Sequence, residues 1–335
     1  MPRKSRIDTP GAMHHIIVRG IDRQKLFKND EDRNNFLSRL GVILTETKTD
    51  CYAWALIPNH FHLLLRTGNV SISQVMRRLL TGYAGWYNRR YGRYGHLFQN
   101  RYKSILCQED AYLLELVRYI HLNPLRAKVV PDLNTLDSYP YCGHSVLMGK
   151  VKCDWQNTDK VLSLYSERTG TARRAYRRFV NNGIEQGKRT DLTGGGLVRS
   201  MGGWAAVKAL RAAKVFEKGD ERILGNGDFV EKVLKSAEKR MKKKYNLQAR
   251  GFELTDVVAR VVHVMAIEEE RIWAAGRHRE TVQARSLLCY WAVRELGVTM
   301  VSLARRLDQS VTAVGKAVIR GEKLAKMNNY SLLEK

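Results

Sequence analysis

Two histidines flank a phenylalanine at His60-Phe61-His62, and the chemistry open to such a pair is ligation of one divalent cation. The segment reads as a strand, where successive side chains alternate faces, so His60 and His62 project together while Phe61 points the other way. Alone the pattern is ambiguous, because histidines on a half-buried strand are more often satisfied by ordinary hydrogen bonds. A helix expected over residues 109–123 adds to it. Its Leu113, Leu116, Val117 and Ile120 form an apolar stripe that should face a sheet. Tyr119 and Asn123, four residues apart, then sit one turn above the other on an adjacent stripe. His121 lies about 200° around the helix from Tyr119 and should point away from it. Each residue also has a plainer reading: Tyr119 as a core aromatic, Asn123 as a helix cap before Pro124.

The elements that would position these residues follow from periodicity and breakers. Residues 14–18 read as a strand ending at Gly20 and residues 30–47 as a helix with Phe36, Leu37, Leu40 and Ile43 on one face. Strands follow at 51–57 and 60–66, a helix at 73–91, a short strand at 104–107 and the helix that Pro124 should stop. The fold class expected is α+β. The order β-α-β-β-α-β is that of a ferredoxin-like antiparallel sheet with helices on one face. Residues 131–250 read as a largely helical accessory region, interrupted at Gly194-Gly195-Gly196 and Gly202-Gly203, in which the basic run Lys239–Lys244 is a solvated face or linker. Residues 251–325 read as a compact helical unit. The expected division is therefore 9–130, 131–250 and 251–325.

Composition narrows the partners. The 335-residue chain carries 58 Lys and Arg against 33 Asp and Glu, a formal charge of +25 and a pI near 10.0. Such an excess repels itself, so a polyanion, most simply nucleic acid, is the expected partner. No apolar run approaches the roughly 20 residues that cross a bilayer. The opening Met1-Pro2-Arg3-Lys4-Ser5-Arg6 lacks the apolar core of a secretory signal. The five cysteines form no C-x-x-C pair, which argues against a disulfide framework or structural zinc. These features predict a cytoplasmic, nucleoid-associated protein with no membrane partner.

The segments Ala55–Leu64 and Tyr119-Ile120-His121-Leu122-Asn123-Pro124, with Phe98–Ser104 between them, resemble the IS200-like transposases, and within these the REP-associated tyrosine transposases. These are HUH endonucleases, named for His-hydrophobic-His, and the resemblance spans residues 9–130. It implies that His60 and His62 bind Mg²⁺ or Mn²⁺, with Asn123 as a third ligand where many insertion-sequence members carry Gln. It implies that Tyr119 is the nucleophile, leaving a 5′-phosphotyrosine and a free 3′-OH on single-stranded, hairpin-forming DNA near palindromic repeats. Two imidazoles would shift the preference towards Mn²⁺ in vitro. Whether Tyr119 serves the histidines of its own chain or of a second copy, monomer or homodimer, stays open at this level. Two other functions compete: a sequence-specific DNA-binding regulator with a vestigial nuclease domain, and a metal phosphodiesterase that uses water and needs no tyrosine.

Recognition elements are denser than a catalytic core requires. Arg77, Arg78, Arg89 and Arg90 alternate with aromatic residues along one helix, in the manner of single-strand-binding grooves, although Tyr83 and Tyr87 could pack its core. Arg101 and Lys103 continue the theme, and Arg19 and Arg23 are weaker phosphate contacts at the end of the first strand. Near the C-terminus, Thr281–Leu296 reads as a helix ended by Gly297, Thr299 caps a short helix, and Asp308-Gln309-Ser310 turns into a helix from Val311 to Arg320. That spacing suits a helix-turn-helix with Gln309, Ser310, Thr312, Ala313 and Lys316 at the start of the recognition helix, or a plain helical bundle. Residues 254–325 resemble the DNA-binding domain of DnaA-type initiators, through Arg277-His278-Arg279-Glu280 and Leu303–Leu307. The turn departs from the initiators' Asp-His-Thr, so the resemblance implies duplex or hairpin-stem binding without their target sequence.

Overall fold

The computed structural model describes residues 7, 11–68, 70–187, 189, 192, 220, 222–236, 247, 251–274, 276 and 278–333. The chain divides into two compact units, Met1–Lys232 and Val233–Lys335. The first is built on five strands in the order β2-β3-β1-β4-β5. Strand β1 (Met13–Arg19) is central, pairing antiparallel with β3 (His60–Arg66) and with β4 (Lys103–Cys107); β2 (Asp50–Ile57) is antiparallel to β3. The first four strands thus have the ferredoxin-like order. Strand β5 (Ile223–Leu224) is parallel to β4, so the sheet is mixed rather than purely antiparallel. Two residues are too short to show a period of two, so β5 lies inside the region that periodicity marks as helical.

Both faces of the sheet are covered. Helices α1 (Asp30–Thr47) and α2 (Ile72–Arg90) pack on one face, where Phe36, Leu40, Val75, Met76, Leu79 and Tyr83 meet Ile16, Val18, Trp54, Phe61, Leu63 and Leu65. Local chemistry fixes their ends. Asn29 and Asp32 cap the start of α1 reciprocally, Lys48 ends it in the left-handed region (φ 49°), and the Ser71 side chain caps α2.

Helix α3 (Glu109–His121) lies on the opposite face, contrary to the one-sided packing expected. Its stripe of Leu113, Leu116, Val117 and Ile120 is buried as anticipated, against Met13, Ala53, Ala55, Leu64 and Ile105. The same core takes in residues from α5 (Leu133–Ser138), α6 (Gly143–Leu147), α7 (Thr158–Leu162) and α8 (Thr169–Asn181). The helix ends at His121, within two residues of the stop expected before Pro124. The chain turns at Leu122 into α4 (Asn123–Arg126), whose first turn accepts proline because no N–H is needed there.

The second unit is helical: α9 (Leu254–Met265), α10 (Glu269–Trp273), α11 (Arg279–Tyr290) running on as a π-helical turn over Trp291–Leu296, α12 (Met300–Arg306) and α13 (Val311–Met327). Gly297 (φ 89°) ends the π-helical turn and Thr299 caps α12, as the residue types indicate. Helices α11 and α13 approach until a Cβ on Gly321 would stand 1.8 Å from the Ser286 carbonyl oxygen. Glycine is the residue that permits the crossing.

Candidate active site

Register places the site. Across β3, β1 and β4, His62 stands opposite Ile17, which stands opposite Lys103, and His60 stands opposite Arg19. Directly opposed residues project from the same face, so His60, His62, Arg19 and Lys103 share one side of the sheet. It is the side that α3 covers. There a cleft of about 820 Å³ is lined by His60, His62, Arg19, Arg101, Lys103, Tyr119, Asn123 and Arg126, with Ile17, Gln99, Asn100, Ala127 and Gly187 completing the wall. The Tyr119 ring stands edge-on to His62, with centroids 5.9 Å apart, and the rings of His60 and His62 are 5.3 Å apart. All of these residues belong to one chain.

Hydrogen bonds orient the imidazoles. His60 Nδ1 lies 2.7 Å from Asn59 Oδ1, and His62 Nδ1 lies 3.0 Å from Nε2 of the stacked, buried His15. With Nδ1 of each ring occupied by a protein partner, Nε2 is the nitrogen left for a cation. Burial pushes His60 down to about 4, helped by the charge of Arg19. It pushes His62 well below the ordinary histidine value, helped by His15, His60 and Arg19. Both rings are therefore neutral near pH 7, the form that ligates a metal. The Asn123 amide nitrogen donates to the carbonyls of Tyr119 (3.1 Å) and Ile120 (3.3 Å), which frees its oxygen. Among the described residues no group of three His, Cys, Asp or Glu side chains is set to hold a metal. Two imidazoles and an amide oxygen nevertheless suit a divalent ion that completes its shell with water and substrate oxygens.

The remaining expected residues fall in several places. Arg19, Arg101 and Lys103 are exposed on the cleft wall. Arg23 is exposed in the short turn Ile21–Arg23 beyond β1. Arg77, Arg78, Arg89 and Arg90 lie on α2, packed against the other face of the sheet. Arg78 pairs with Glu46 at 2.5 Å, and Arg90 pairs with Glu31 and Asp32. The α2 tyrosines are core, with the Tyr83 and Tyr87 hydroxyls donating to the carbonyls of Leu26 and Lys25. His121 points away from Tyr119, as helical geometry requires, and is buried against the Tyr176 hydroxyl at 2.7 Å. In the second unit Arg279, Thr312 and Lys316 are exposed, Gln309 and Ala313 are half-buried, and the exposed Ser310 accepts the Ala313 N–H as a helix cap. Arg277 lies outside the described residues.

Sequence reasoning missed His15, Gln99, Asn100 and Arg126. His15 was within reach, since it falls on the same period-two register as Ile17 and Arg19. Arg126 is three residues past Asn123 and seven past Tyr119, but the expectation that Pro124 ends the helix hid the relation.

Residues 9–123 match the family model described as the IS200-like transposases. The matched segment contains both histidines, Tyr119 and Asn123, and ends before Arg126. No curated protein matches the chain. One similar solved structure is a REP-associated tyrosine transposase bound to a REP hairpin, with 18% identity over 47% of this chain and 92% of that one, at a TM-score of 0.37.

Proposed function

We propose that the protein is a metal-dependent, single-tyrosine DNA endonuclease and strand transferase acting on single-stranded, hairpin-forming DNA. The observation that carries this reading is the convergence of Tyr119 on α3 with His60 and His62 on β3 in one basic cleft of a single chain. The match of residues 9–123 to the IS200-like transposase family supports it.

His60, His62 and Asn123 would hold Mg²⁺ or Mn²⁺, which when bound supplies Lewis-acid polarisation of the scissile phosphate. The rest falls to the chain's own groups. Tyr119 Oη attacks phosphorus, a Tyr–O–P bond forms, the bond from phosphorus to O3′ breaks, and the phenolic proton is taken up as the 3′-hydroxyl appears. The phosphodiester is conserved in the 5′-phosphotyrosine, so a later 3′-OH can reverse the attack without ATP. Arg19, Arg101 and Lys103 line the path as phosphate contacts. Arg77, Arg78, Arg89 and Arg90 face a different side and would serve at most a flanking stretch of DNA. The second unit would bind duplex or hairpin stem through the start of α13, where Thr312 and Lys316 are exposed, directing cleavage to palindromic repeats.

The test is direct. The chain is incubated with 3′-labelled hairpin DNA bearing a single-stranded flank, with Mn²⁺, and resolved on a denaturing gel. A covalent adduct that disappears in Tyr119→Phe is expected. Cleavage persisting in Tyr119→Phe would indicate a water nucleophile, and binding without cleavage a regulator.

A further inference from the structure

Arg126 stands apart from the other cations of the cleft. Its guanidinium carbon lies 5.5 Å from the centre of the Tyr119 ring, and it lines the cleft with His60 and His62. One Nη donates to the Gly183 carbonyl at 3.2 Å, whereas Nε and the other Nη are shielded from solvent without a hydrogen-bond partner among the described residues. Arginine cannot shed its charge at neutral pH, so buried N–H groups left unspent are costly unless something else accepts from them.

The surroundings sharpen the point. Arg118 and Arg189 both pair with Glu115, at 2.6 and 3.0 Å, and both repel Arg126. No carboxylate pairs with Arg126 itself among the described residues. A group of three guanidiniums with one carboxylate is short of an anion, and the place where an anion meets Arg126 is the cleft beside Tyr119. The brace comes from the region after α8: Gly183 follows that helix, and a Cβ there would stand 2.5 Å from the Arg118 side chain.

We infer that Arg126 is a catalytic residue of this site, a fixed guanidinium that donates to the non-bridging oxygens of the phosphodiester attacked by Tyr119. The inference rests on the nuclease reading of the cleft. It adds a charge held in place before substrate arrives, against an oxygen whose negative charge grows as phosphorus is attacked. Arginine suits the task because its planar fork matches a pair of phosphate oxygens.

The experiment compares the wild-type chain with Arg126→Lys and Arg126→Gln. Adduct formation is followed in a single turnover with Mn²⁺ at saturating hairpin DNA. Binding of the same DNA is followed in chelator by fluorescence anisotropy across a salt series. The expected result is a rate about 100-fold lower in Arg126→Gln, partly restored in Arg126→Lys, with the thermal melt unchanged. The slope of log affinity against log salt should fall by a little under one in Arg126→Gln alone. A bracing role predicts otherwise: the Gln amide can still donate to the Gly183 carbonyl and would keep the rate, or both variants would melt early and fail alike. Either result, or an unchanged rate and slope in Arg126→Gln, overturns the assignment. If the wild type forms no adduct, the nuclease reading fails on its own, and the salt slope still decides whether Arg126 meets phosphate.

Discussion

Each histidine proposed to hold the metal depends on what its other ring nitrogen meets. His62 can offer Nε2 to a cation when its proton sits on Nδ1, the tautomer in which the Nε2 of His15, 3.0 Å away, accepts from it. His15→Ala should therefore weaken Mn²⁺ affinity by 10- to 100-fold, the range seen when such supporting partners are lost. Titration calorimetry of the DNA-free protein measures it, and an unchanged affinity would remove His15 from the site. At this scale much was legible. A period of two placed His60 with His62, and a period of 3.6 placed Tyr119 with Asn123 and turned His121 away. That these two pairs face one cleft is a statement about packing between distant elements, for which spacing along the chain gives no measure.

Among the elements, α3 shows what periodicity leaves undetermined. Its apolar stripe was plain, but the choice of sheet face is made by competition. Phe61, Leu63 and Leu65 are already covered by α1 and α2, which leaves the face of His62 and Leu64 for α3. Pro124 marks the end of α3 as expected, but a proline that ends one helix can also sit in the first turn of the next, and spacing did not reveal α4. In the second unit the decisive feature is the contact of α11 with α13 at Gly321. Gly321→Ala should destabilise that unit by about 1–3 kcal/mol, because the added methyl must push the helices apart. Thermal unfolding of the full chain reports it, with the adduct-forming activity of the first unit retained. A melt identical to wild type would contradict the close crossing.

For the whole molecule, the +25 charge calls for a polyanionic partner, and the cleft gathers Arg19, Arg101, Lys103 and Arg126 where a phosphate chain would run. The buried histidines should also make the first unit sensitive to acid. Burial holds His14 and His60 down to about 4 and lowers His62, His121 and His144 as well. In the unfolded chain these rings take up protons near pH 6.5, while the folded chain refuses them. Stability present above pH 6.5 is thus lost as the pH falls towards 4, with His14 alone contributing on the order of 3 kcal/mol. The urea midpoint of the metal-free protein should drop steadily between pH 7 and pH 4.5, and a flat profile would mean that the histidines are not buried as described. The central claim concerns one bond, and peptide mapping of the protein–DNA adduct tests it most directly. Digestion of the cross-linked species followed by tandem mass spectrometry should find the nucleotide on the phenolic oxygen of Tyr119. A nucleotide on any other residue, or cleaved DNA bearing a free 5′-phosphate with no adduct at all, would contradict the account.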